Sequence, residues 1–93
     1  MNEKKLEIIR SFKKKYRKEL AELNKLVANK EGIYGANVWT GCGGLPIFLT
    51  FDLNEALSVA IDESIDNPHP DHTRIEFISF GMCPEQKTVG YLY

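Results

Sequence analysis

The chain predicts an α+β fold: a long N-terminal helix followed by β-β-α-β-β, with a four-stranded antiparallel sheet and a short helix packed on one face of it. Three observations carry that expectation. Apolar residues in the first thirty positions recur at spacings of three and four, the period of an amphipathic helix. Two alternating apolar stretches then flank a glycine-rich link, the form of a hairpin. A capped and striped helical segment separates these from two further strand-like stretches.

The 93 residues suit one domain, divided into a basic amphipathic helix (1–31) and a compact ββαββ body (32–93). In the first segment Leu6, Ile9, Lys13, Tyr16, Leu20, Leu23 and Val27 form a seam, and Phe12 and Leu26 widen it. No proline or glycine interrupts it before Gly32. One rod of roughly 40 Å is expected at 1.5 Å per residue. That exceeds the width of a small sheet. The helix is therefore expected to cover the opposite face of the sheet or to share its seam with a neighbour. Residues 29–32, Asn29 to Gly32, supply the stop.

Residues 33–40 (IYGANVWT) and 45–51 (LPIFLTF) read as strands joined by the GCGG turn at 41–44. Pro46 marks an edge or a strand end. Asp52 with Glu55 three residues on has the form of a capping box. The helix that follows buries Leu53, Ala56, Leu57, Ala60, Ile61 and Ile65. It stops by Asn67, because the residue before a proline avoids helical dihedrals. After the polar loop DNPHPDH (66–72), residues 73–80 (TRIEFISF) read as a third strand. Its apolar side chains fall on both faces, which calls for two covered faces or a bulge near Phe77 and Ile78. Residues 87–93 close the sheet.

Charge is segregated. Residues 1–30 hold ten bases and four acids, a net +6; residues 31–93 hold two bases and nine acids, a net −7. The overall −1 conceals a dipolar molecule, which bears on partners rather than on fold. Arg10, Lys13, Lys14, Lys15, Arg17 and Lys18 fall within nine residues. Such density attracts phosphates or other anions. No helix-turn-helix, zinc-finger or RNP pattern accompanies it. The acids Asp62, Glu63 and Asp66 make an opposite, docking-type face. Tyr16, Leu20, Leu23 and Val27, with the terminal Tyr93, are the expected contacts to a second copy.

The remaining chemistry is sparse. The glycine-rich turn lacks the GxxxxGK[ST] form of a phosphate loop. Cys42, His69, His72 and Cys83 are the only metal-ligand types of their kind, and no CxxC spacing supports them. As a catalytic set they would use Cys42 as nucleophile, a histidine as base and Asp71 as orienter. No cofactor and no metal are called for. The charged N-terminus has no apolar h-region, and no apolar run reaches the length of a membrane span. A cytoplasmic protein without membrane attachment is expected.

The reading that follows is a non-enzymatic binding module. It is homo-oligomeric and engages nucleic acid, a nucleotide or an acidic protein surface through its basic helix. The alternative is an inhibitor or decoy of phage or mobile-element type that blocks a larger host protein through the acidic face. A small Cys/His enzyme or metal protein is the third reading.

Overall fold

A computed structural model describes residues 3–39, 46–82 and 84–93. In chain order the elements are α1 (Glu3–Lys15), α2 (Arg17–Ala28), β1 (Gly32–Asn37), β2 (Phe48–Thr50), α3 (Leu53–Ser64), a 3-10 turn (Pro70–His72), β3 (Arg74–Ser79) and β4 (Gln86–Tyr91). The GCGG turn and Cys83 lie outside the described residues.

The sheet is antiparallel with order β2-β1-β3-β4. Register sets Tyr34 opposite Phe77 and Ala36 opposite Ile75. Opposed residues point to the same side, so these four share a face. That face meets Ile9 and Phe12 of α1, Leu20, Leu23 and Val27 of α2, and Leu53, Ala56, Leu57, Ala60 and Ile61 of α3 in one buried cluster. All three helices thus cover one side of the sheet. The expectation that the N-terminal helix covers the other side or serves a neighbour is corrected here: its seam is spent inside the chain. The reason is area. Each buried Leu, Ile or Phe contributes ~1.5–3 kcal/mol, and a chain this small gains most by burying the N-terminal seam in its own core.

The N-terminal segment is not the single rod that its periodicity predicts. The helix breaks at Tyr16, whose φ of −111° and ψ of 26° leave the helical region. Hydrogen bonds continue on both sides, from Tyr16 N–H to Phe12 O and from Leu20 N–H to Tyr16 O. The chain therefore bends without unravelling. No proline or glycine causes the bend. Two forces favour it. Lys13 with Arg17 and Lys14 with Lys18 are like charges four apart, which weaken a straight helix. The Tyr16 ring also lies on Gly90 of β4, and a Cβ built there would fall 2.2 Å from the ring. Phe12 packs on the same ring, with centroids 4.8 Å apart. Bending lets α1 pack on α3 while α2 packs on β1.

The end of α2 is a Schellman motif: Lys30 N–H bonds Val27 O, and Glu31 N–H bonds Leu26 O. Lys30, rather than Gly32, takes the left-handed conformation, with φ of 61°. Its ammonium sits 4.3 Å from the Phe51 ring centroid, which offsets part of the backbone cost. Gly32 is instead a strand residue over which the Phe77 ring passes. At α3 the Asp52 carboxylate accepts from Asn54 N–H at 2.9 Å, as the cap predicts. The expected irregularity of β3 lies between Ile75 and Glu76, where β4 carries an extra residue, rather than at Phe77 and Ile78. Ile65 is left outside the core.

Tyr34 fastens α2 to β1. Its ring is fully buried, and its hydroxyl donates to Asn24 Oδ1. Burial pushes the phenol from 10.0 up to about 12.

Two measurements test this packing. Gly90→Ala should cost ~1–3 kcal/mol in denaturant unfolding through the forced shift of Tyr16. In a Tyr16→Ala background the same change should cost far less; equal costs would detach the bend from β4. For Tyr34 the folded state holds the proton more tightly than the unfolded one. Its stabilisation is therefore complete below pH 10 and is lost as pH rises toward 12. Tyr34→Phe should cost ~1 kcal/mol at neutral pH and should flatten the loss between pH 10 and 12 relative to wild type.

Candidate anion-binding surface

The bend decides where the basic residues go. Arg10, Lys14, Lys15, Arg17 and Lys18 are exposed, and Lys13 is half-buried. Lys14, Lys15, Arg17 and Lys18 line one shallow groove of about 460 Å³ around Tyr16 and Glu19. Lys13 and Arg17 line a second, of about 590 Å³, between α2 and the start of α3, with Asn24, Asp52 and Asn54. Arg17 thus belongs to both. A straight helix would wrap these charges around its axis; the bend gathers four of them on one concavity.

These charges are also uncompensated. Ion pairs among the described residues include Lys5–Asp62 at 2.7 Å, Lys87–Glu19 at 2.9 Å and Arg74–Glu76 at 2.6 Å. None involves the six. Lys15 sits 5.4 Å over the Tyr16 ring, a contact that holds the ammonium without neutralising it. Glu19, the acid nearest the bend in sequence, is occupied by Lys87.

The residues expected to bind a second copy are elsewhere engaged. Leu20, Leu23 and Val27 are buried in the single chain. Tyr16 is seated on Gly90. The Tyr93 hydroxyl meets Ser64 Oγ at 2.8 Å. Sharing the seam with a neighbour would require opening the core. Exposed apolar side chains lie instead on the side of the sheet that the helices leave bare: register and alternation place Leu49, Phe51 and Phe80 there. Phe51 and Phe80 meet edge to face at 6.4 Å.

The acidic face is partly consumed. Asp62 is paired with Lys5, while Glu63 and Asp66 are exposed. Cys42 and Cys83, the thiols of the four-residue metal or catalytic set, lie outside the described residues. His69 and His72 do come together, with ring centroids 5.7 Å apart.

On the bare side of the sheet sits a polar cluster that pattern reading missed. Glu76 is only 2% exposed. Its carboxylate accepts from Arg74 Nε at 2.6 Å and from Thr88 Oγ1 at 3.1 Å. Arg74 Nη1 also donates to His72 O at 3.0 Å. The available signal was a charge pair two apart on one strand, which lie on one face; depth came only with packing.

No helix among the described residues is long and apolar enough to cross a membrane. No known protein family, curated protein or solved structure matches the chain.

Glu76→Ala should destabilise the fold by ~3–5 kcal/mol, because it leaves Arg74 as an uncompensated, nearly buried charge. Chemical denaturation checks this. A cost near 0.5 kcal/mol would show the pair to be solvated.

Proposed function

We propose that the protein is a non-enzymatic binding module whose cationic bend engages an anionic macromolecule, with the phosphate backbone of nucleic acid as the best-fitting chemistry. One observation carries the reading: four bases, Lys14, Lys15, Arg17 and Lys18, line one concavity at the bend, and among the described residues none of them is ion-paired with an acid. Phosphates spaced along a backbone match several cations on one concavity better than a single small anion does. The acidic body points the molecule. A dipolar protein approaches a polyanion with its basic end first.

Affinity of this kind comes from counterion release and is independent of base sequence. Base-edge recognition is not part of the proposal, because no recognition element accompanies the charges. Lys14, Arg17 and Lys18 are the central contacts. Lys13, Lys15 and Arg10 extend the path.

Fluorescence anisotropy with a mixed-sequence oligonucleotide tests the reading. Binding should weaken with salt along a log–log slope of about −3 to −5, as ~0.9 per phosphate contact requires. The Lys14→Glu, Arg17→Glu, Lys18→Glu triple variant should lose binding while its circular dichroism stays native, since all three side chains are exposed. Retained binding in that variant overturns the proposal, as does a salt-independent affinity.

A further inference from the structure

The loop at the C-terminal end of α3 has a chemistry separate from the cationic bend. His69, Asp71 and His72 each bring one donor atom, and those atoms all lie within 4.8 Å of one another. His72 Nε2 stands 4.0 Å from Asp71 Oδ2. These are the only two histidines of the chain, and four consecutive residues bring both to one place with a carboxylate. We propose that His69, Asp71 and His72 form a binding site for a borderline divalent transition-metal cation, Zn2+ in particular, with water in the remaining positions.

Donor chemistry selects the ion. Two imidazole nitrogens and one carboxylate suit Zn2+ and its neighbours, whereas Mg2+ and Ca2+ prefer oxygen alone. Zinc bonds of ~2.0–2.2 Å put tetrahedral donors roughly 3.3 Å apart. Binding would draw the donors in from their present spread of up to 4.8 Å. All three residues are exposed, so the ion reaches them without opening the fold.

The loop is held ready for such a set. Asn67 Oδ1 accepts from His69 N–H at 2.8 Å, and Asn67 Nδ2 donates to Trp39 O at 2.8 Å. The 3-10 turn closes through His72 N–H to His69 O and Thr73 N–H to Pro70 O. Pro68 and Pro70 restrict the backbone on both sides of His69. From β3, Arg74 grips His72 O and is itself held by Glu76. Leu92 N–H bonds Thr73 O from the C-terminal segment. Trp39 packs against the His69 ring at 4.4 Å and limits its orientations. Anchoring of this kind removes much of the ordering cost that a flexible His-rich tail meets on binding a metal.

The same contact supplies the reporter. Trp39 is the only tryptophan and touches a proposed ligand. The experiment is titration of the tag-free full chain with Zn2+, followed by calorimetry, by Trp39 fluorescence and by the two histidine ring signals in NMR. One Zn2+ per chain should bind, and both imidazoles and Trp39 should respond together. His69→Ala and His72→Ala should each weaken binding about tenfold or more, and Asp71→Asn should weaken it measurably. The Cys42→Ser, Cys83→Ser double variant should bind as wild type does. Circular dichroism of each variant confirms that the fold is retained. Absence of Zn2+ binding overturns the proposal. So does binding that survives His69→Ala with His72→Ala, or binding that disappears with the cysteines. An unchanged affinity in Asp71→Asn overturns the three-donor set.

Discussion

The seating of Tyr16 on Gly90 is the constraint on which the rest of the packing depends. It joins the N-terminal helical segment to the last strand, across almost the whole chain. A straight helix of that length would overhang the sheet. With the bend, α1 packs on α3 and α2 packs on β1. Both halves then place their stripe residues in one core. The glycine matters because a close approach of ring to backbone leaves no room for a side chain. Tyr34 adds a second fastening, from β1 to Asn24 of α2.

This economy has a consequence for the surface. Three helices on one side leave the other side of the sheet to its own side chains. There the strands protect a charged pair, Arg74 with Glu76, by embedding it beside Thr88. A buried pair of this kind adds little net stability compared with an apolar pair. Its value lies in where it holds Arg74. The guanidinium reaches on to the His72 carbonyl and ties the loop after α3 to the sheet. The framework of the sheet and the geometry of the histidine loop are thus one connected network.

The two ends of the molecule are electrostatically different. The acids of the body find some partners: Asp62 takes Lys5, and Glu76 takes Arg74. The bases at the bend find no acidic partner among the described residues. Repulsion among them has a structural cost, since like charges at one helical turn oppose a straight helix. Their retention at an exposed concavity is the physical basis for reading that region as a contact for an external anion.

Local physics was legible from residue order alone. Stripe periodicity marked the stretches that became α1, α2 and α3, and the Asp52 cap placed the start of α3 within a residue. Alternation located the strands, and counting located the charge split. Each of these depends on neighbours within a few positions. The bend at Tyr16, the left-handed Lys30, the order β2-β1-β3-β4 and the choice of a single covered face were decided by tertiary structure. These depend on partners distant in sequence: Gly90 for Tyr16, β3 for β1, and Phe51 for the contact that supports the left-handed Lys30. The same division holds for the candidate sites. Six bases in nine residues are visible in a string. The convergence of four of them on one concavity, and that of His69, Asp71 and His72 on one loop surface, are settled by the bend, by Trp39 and by Arg74, because direction in space is a property of the packed chain.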